Sequence, residues 1–323
     1  MARLSAVMSR VHAGLEPAEF IETVAIAFQE ARNRESAEVM DQRFRREASF
    51  QLFQKALRLA LTRGGPAQSV LVLGCGRGFA GEAADFAAHV VRELSVSSQG
   101  LHVRTLSLTP RICFQAPELV GTDRTWDLVV AHSLLHYIPD LGPVFDLIRQ
   151  ALGPSGGLII SHEPNARFWR NPECQAAVAN LRKADRLRQW RRRLRPSHLF
   201  RRFRTKVPRV ASISVGVNRR LAERHGLCAP LTDEEIRRLV DVHRPTASPG
   251  TFRIGLNGFD MDDLGQTYLP DFRLLWAGSS GQLGYADTSL FPPKWRRIEA
   301  KLAAEQPLAG SVFTAYWSRD RVR

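Results

Sequence analysis

The stretch from residue 69 to residue 94 constrains the fold of this chain most. Ser69-Val-Leu-Val-Leu73 is a short apolar run rich in β-branched residues, and it ends in Gly74-Cys-Gly76-Arg-Gly78. Phe79, Ala83, Phe86, Val90 and Leu94 then recur at helical spacing, with Glu82, Asp85, His89, Arg92 and Glu93 off that stripe. A continuous apolar run bounded by glycines predicts a strand buried on both faces, and the 3.6-residue spacing after it predicts a helix. Strand, glycine turn, helix is the opening of a βαβ unit.

The alternation continues. Leu101–Leu108 is a second strand, Ile112–Phe114 a short third and Asp127–Ala131 a fourth, followed by Ser133-Leu-Leu-His-Tyr-Ile138. A helix through Val144, Leu147, Ile148 and Leu152 stops at Gly153-Pro-Ser-Gly-Gly157, and Leu158–Ser161 is the next buried strand. Phe272–Ser279 and Val312–Ser318 read as late strands with a helix, Lys294–Ala304, between them. Strands alternating with helices imply an α/β architecture, a doubly wound and mostly parallel sheet. Ahead of it, residues 1–65 read as a helical cap, with stripes at Phe20, Val24 and Phe28 and at Phe50, Phe53, Ala56, Leu57 and Leu61. The main domain then runs over 66–323, with a helical insertion over 166–250 in which Thr232 to Glu235 has the pattern of a capping box.

Charge divides the chain unevenly. Of 323 residues, 46 are Lys or Arg and 32 are Asp or Glu, a net charge of +14. Between Arg182 and Arg209 there are thirteen Lys and Arg against the single acid Asp185, so the remainder is nearly neutral. Leu187, Trp190 and Leu194 interleave there on one helix face. Such a module suits an anionic neighbour, and three readings stay open: a solvated surface helix, contact with an acidic lipid surface, and RNA. Cys75, Cys113, Cys174 and Cys228 form no CxxC pair, which argues against a zinc site or a disulfide framework and for a reducing compartment. No apolar run approaches the ~20 residues of a membrane span, and the N-terminus lacks a secretory core. A cytoplasmic enzyme, peripheral to a membrane if the basic module docks there, is the expectation.

Gly76-Arg-Gly78-Phe-Ala-Gly81 matches the dinucleotide fingerprint literally, but Gly74 already occupies the strand's end and no acid stands near residue 101 to hold a ribose. Val70-Leu-Val-Leu-Gly-Cys-Gly-Arg-Gly78, Trp126-Asp-Leu-Val-Val-Ala-His-Ser-Leu-Leu-His-Tyr-Ile138 and Leu152-Gly-Pro-Ser-Gly-Gly-Leu-Ile-Ile160, in that order and at that spacing, resemble the class I S-adenosylmethionine-dependent methyltransferases of the small-molecule type. The resemblance covers Pro66–Asn165 and, loosely, the last two strands. It implies a seven-stranded Rossmann-like sheet and S-adenosylmethionine as cofactor. It also implies a cofactor site at Gly74, Cys75, Gly76, Gly78, Ser107, Gln115, His132 and Leu134.

The chain departs from the family pattern at three places, with Val72, Ser107 and Gln115 where acids are usual. A carboxylate on a ribose diol makes charge-assisted bonds of about 1.5–3 kcal/mol each, and a serine hydroxyl recovers about 1 kcal/mol. Weaker cofactor binding is the expected consequence. Ligands of α/β sheets sit beyond the carboxyl ends of the strands, where this chain carries His132, His136, His162 and Glu163. His162 or His136, with Glu163, are the candidate catalytic groups, since a base helps wherever the acceptor is a hydroxyl or an amine. The reading is methyl transfer to oxygen, nitrogen or carbon of a small organic acceptor, of anionic or lipid-like kind. An RNA methyltransferase and a non-catalytic binding protein of the same fold are the alternatives.

Overall fold

In the computed structural model, the residues described are 23–24, 48–62, 69–75, 79–94, 101–108, 125–138, 141–193, 213–226, 230–232, 235–236, 258–284 and 291–319. Six strands lie among them. They are β1 (Ser69–Cys75), β2 (His102–Leu108), β3 (Trp126–His132), β4 (Leu152–Pro164), β5 (Phe272–Ser280) and β6 (Val312–Arg319). They form one sheet in the order β2-β1-β3-β4-β6-β5. The first four are mutually parallel, and β6 runs antiparallel to both of its neighbours. The expected strand at Ile112–Phe114 lies outside the described residues, so the sheet described has six strands and not seven.

The strands' near-continuous apolar sequence is explained by what covers them. Val70, Val72, Leu128, Val130, Ile159 and Tyr316 face one core, filled by Phe53, Ala56 and Leu57 of α1 (Ala48–Thr62) and by Ala84, Ala87 and Val91 of α2 (Phe79–Leu94). Their chain neighbours Leu71, Leu73, Val129, Ala131, Leu158, Ile160, Ala315 and Trp317 face the other core. There they meet Val144, Leu147 and Ile148 of α3 (Gly142–Ala151) and Leu264 of α7 (Met261–Tyr268). Period-two alternation with both faces buried is what a doubly wound sheet requires. Each large side chain so buried contributes about 1.5–3 kcal/mol.

One boundary differs from expectation. The run Gly153-Pro-Ser-Gly-Gly157 is not a turn that precedes the strand, because β4 begins at Leu152, paired with Trp126, and the ladder resumes at Leu128 with Gly157. The intervening residues bulge out of the ladder. Gly157 is required there, since a Cβ would stand 2.7 Å from the Tyr316 ring laid across it from β6.

After β4 the chain leaves the sheet as α4 (Ala166–Arg170), α5 (Pro172–Arg193) and α6 (Ile213–His225). Thr232 and Glu235 make the reciprocal capping box, Glu235 N–H donating to Thr232 Oγ1 at 3.2 Å and Thr232 N–H to Glu235 Oε2 at 2.8 Å. The chain re-enters at Phe259, beside Asn165. Between β5 and β6 lies α8 (Pro293–Glu305). Since β6 begins opposite Pro164 and Ser280, the connection that carries α8 leaves and rejoins the sheet at the edge where β4 and β5 end. Along with α4 and α5, it roofs that edge: Leu181 of α5 packs with Leu283 and with Leu302 of α8.

Candidate functional site

The carboxyl ends of β1, β2, β3 and β4 share one edge, and the irregular backbone is concentrated there. Ser133, immediately after β3, has φ +52°, and His162, near the end of β4, has φ +59°. Among the described residues they are the only non-glycines in left-handed conformation. Such strain costs about 1–3 kcal/mol per residue and persists where the surroundings over-determine it, commonly at functional sites. The two are joined, as Ser133 N–H donates to the Ser161 carbonyl at 2.8 Å. The β4–β6 ladder shifts register between Ser161 and Glu163, so His162 is the residue displaced from it.

Displacement turns His162 toward the helical layer. Its ring is half-buried, its Nδ1 is 3.0 Å from the Ser49 hydroxyl of α1, and the ring stacks on His132 at a centroid distance of 5.7 Å. His132 is itself buried against Phe53 at 4.8 Å and Phe86 at 5.8 Å. Burial first, then the proximity of His162 and His136, holds the His132 ring well below the ordinary histidine range, so it is neutral at neutral pH. The wall behind the site is therefore apolar and uncharged.

Glu163 is fully buried, and its carboxylate gathers the loop after β3. Oε1 accepts the amides of Leu134 at 2.6 Å and Leu135 at 2.8 Å. Oε2 accepts the amide of His136 at 3.2 Å and lies 2.8 Å from His136 Nδ1. These bonds shape the single 3₁₀ turn Leu135–Tyr137. A carboxylate is well suited to this work because three successive N–H groups converge on one point.

The expected cofactor residues are placed as follows. Gly74 and Cys75 end β1, and Gly74 pairs with Ser107 on β2, so the serine lies level with the start of the glycine turn. His132 supports the site through its ring, and the Leu134 side chain lies in the sheet's core with its amide bound to Glu163. Gly76, Gly78 and Gln115 lie outside the described residues. Of the expected catalytic groups, His162 and His136 come to the same edge, and Glu163 stands between β4 and the loop as a clamp. Ser49, Phe53, Phe86 and Ser133 also belong here. They were missed because a helix stripe shows only that Phe53 and Phe86 are buried, and nothing in the sequence marks Ser133 or Ser49.

The donor set can be tested against a sulfonium cofactor. Among the described residues at this edge, His132 and His162 supply two imidazoles, the first of them neutral, and Glu163 one carboxylate, while Gly74 and Ser107 stand level on adjacent strands. A neutral ring with a carboxylate behind it fits a ligand bearing a positive charge.

Among solved structures the chain is similar to the plantazolicin methyltransferase BpumL in complex with a monoazolic desmethylPZN analog and SAH, at 10% identity and a TM-score of 0.36 over 94% of this chain and 98% of that one. It is also similar to the N-methyltransferase NodS from Bradyrhizobium japonicum WM9 in complex with S-adenosyl-l-homocysteine, at 11% identity and 0.35 over 92% and 98%. No curated protein matches the chain significantly. The model of the family described as "Methyltransferase domain" matches residues 42–240, more than half of the chain. The chain belongs to that methyltransferase-domain family.

Proposed function

We propose that this enzyme methylates oxygen, nitrogen or carbon of a small organic acceptor of anionic or lipid-like kind. The observation that carries the reading is the pair of strained residues at the carboxyl ends of β3 and β4, one of which holds an imidazole over an apolar wall. Bound S-adenosylmethionine supplies an electrophilic methyl group on a sulfonium. Gly74, the turn that follows it and Ser107 would hold the cofactor, and the loop from Ser133 to Tyr137 would flank its methionine portion. Methyl transfer gains most from alignment of donor and acceptor, which a strained, hydrogen-bonded backbone provides. His162 or His136 takes the proton of a hydroxyl or amine acceptor.

The roof of α4, α5 and α8 shapes the acceptor side of the cleft. Its outer surface supports a second reading, contact with an acidic lipid surface. Leu187 is 49% exposed on α5, beside exposed Arg182, Lys183 and Arg186, so part of this apolar side chain stays open to a neighbour. Residues 194–209 of the basic module lie outside the described residues. Flotation with acidic and neutral liposomes tests this second reading, and equal recovery from both would remove it.

Isothermal titration with S-adenosylmethionine and S-adenosylhomocysteine tests the main reading. Micromolar binding of both is expected despite Val72 and Ser107. Absence of heat at millimolar ligand would overturn it in favour of a non-catalytic binding protein.

A further inference from the structure

Two histidines compete for the role of base, and their surroundings differ in kind. His162 meets a serine hydroxyl, which donates or accepts equally well and so does not by itself fix the imidazole tautomer. His136 meets a carboxylate that can only accept. Glu163 Oε2 is 2.8 Å from Nδ1 and also takes the backbone amide of the same residue, so both the ring and the main chain of His136 are fixed by one oxygen. An imidazole facing a carboxylate through Nδ1 carries its proton there, and its basic nitrogen is then Nε2. With 9% of its side chain exposed and 0% for Glu163, the pair is shielded enough for this bond to be strong.

We infer that Glu163 is the positioning residue of the methyl-transfer site, holding His136 in the Nδ1–H tautomer so that Nε2 is the base that receives the acceptor's proton. The inference rests on the methyltransferase reading above and selects between its two histidines. In the step, the acceptor's proton passes to Nε2 as the acceptor atom bonds to the methyl carbon. The electrons of the breaking carbon–sulfur bond remain on sulfur. The positive charge thereby moves from the sulfonium to the His136 imidazolium, beside the Glu163 carboxylate. Among the described residues, His132 and His162 are the other imidazoles on this edge, and the four bonds to Glu163 that hold the loop come from Leu134, Leu135 and His136.

The test is imidazole nitrogen NMR on protein labelled with 15N-histidine, in the full-length wild type and in Glu163→Gln, Glu163→Asp and His162→Gln. The wild-type spectrum at neutral pH should show His136 protonated at Nδ1 and unprotonated at Nε2. Glu163→Gln, whose amide can donate to Nδ1, should shift His136 toward the Nε2–H tautomer. Glu163→Asp should restore the wild-type pattern in part, and His162→Gln should leave it unchanged. A wild-type His136 protonated at Nε2, or a His136 spectrum unmoved in Glu163→Gln, would overturn the inference. The wild-type spectrum decides even where a variant does not fold. S-adenosylhomocysteine titration of the same samples separates the two claims. Lack of binding by the wild type sinks the methyltransferase reading itself. A tenfold or greater loss confined to Glu163→Gln, with an unmoved tautomer, shows that Glu163 serves the cofactor pocket and overturns its role on His136.

Discussion

Asn165 and Phe259 lie side by side as a single parallel bridge, closed by the Ala166 amide on the Phe259 carbonyl at 2.9 Å and the Phe259 amide on the Pro164 carbonyl at 2.8 Å. This is the neck through which the chain leaves the sheet and returns. Arg167 doubles it, reaching Asp260 Oδ1 at 3.2 Å and Asp262 Oδ2 at 2.6 Å. Asn165 ties the neck to the loop before β6 by donating to the carbonyls of Leu308 and Gly310. The helical roof is thus anchored at the end of β4, two residues beyond Glu163.

Gly258→Ala should strain this neck. Gly258 has φ +85°, and a Cβ there would stand 2.6 Å from the Pro164 carbonyl oxygen, a backbone atom that cannot step aside. The expected loss is about 2–4 kcal/mol in urea unfolding, combining left-handed strain with overpacking. A loss below about 0.5 kcal/mol would show that the bridge is dispensable.

Asp260 gives the neck a pH dependence. Burial works against its ionisation, but the hydrogen bond and charge of Arg167, aided by the Asp262 amide and Arg170, hold its carboxyl below the ordinary value. Its contribution is therefore complete above about pH 4 and is lost as the pH falls through the lower, folded-state value. Asp260→Asn should be less stable than wild type by about 1–2 kcal/mol at pH 7, with the gap closing in acid. Unfolding curves of the two proteins at several pH values supply the comparison, and a gap that widens in acid contradicts it.

His132 acts with the same sign at a higher pH. Its folded-state value lies below the unfolded one, so the unfolded chain takes up the proton first as the pH drops. Stability from the neutral buried ring is whole above about pH 6.5 and falls below it by up to about 1.4 kcal/mol per pH unit. His132→Phe, which keeps a ring among Phe53, Phe86 and His162, should remove that slope. Parallel slopes for the two proteins would refute the assignment.

Removing the Glu163 clamp should be costly. Glu163→Ala strips the partner from three buried or nearly buried amides and from an imidazole at once. The expected destabilisation is about 3–5 kcal/mol in calorimetry or denaturant titration. A change within about 1 kcal/mol would mean that the loop keeps its shape by packing alone.

At position 162 glycine should be better tolerated than alanine. The φ of +59° suits glycine, so His162→Gly should exceed His162→Ala in stability by about 1 kcal/mol. Equal stability of the pair would show that no strain is stored there.

The inner strands could be read from the chain because they carry their own signal, an apolar run buried on both faces, as at Val70–Leu73 and Leu128–Ala131. The late elements were equally plain, β5, α8 and β6 falling within a residue or two of the expected ranges. The start of β4 was hidden because glycines ordinarily mark turns, whereas here they form a bulge within a ladder and admit the Tyr316 ring. For the site, the edge and its histidines were legible from their positions after strands. The division of labour among them was not, because it depends on pairs far apart in the chain. Glu163 meets residues 27 to 29 positions away, and His162 meets Ser49 across 113. No local pattern records such distances, and left-handed φ values at Ser133 and His162 are likewise invisible in residues that usually avoid them.

The placement of β6 has a consequence for synthesis. In the described sheet β5 is hydrogen-bonded to β6 alone, and one edge of β4 is filled only by β6. Until residue 319 has emerged from the ribosome, β5 has no ladder and the most apolar stretch of β4 shows an open edge. At about 5–20 residues per second, the interval between completing β4 and closing that edge lasts on the order of 10–30 s. For that time the nascent chain presents an unpaired strand edge to its neighbours.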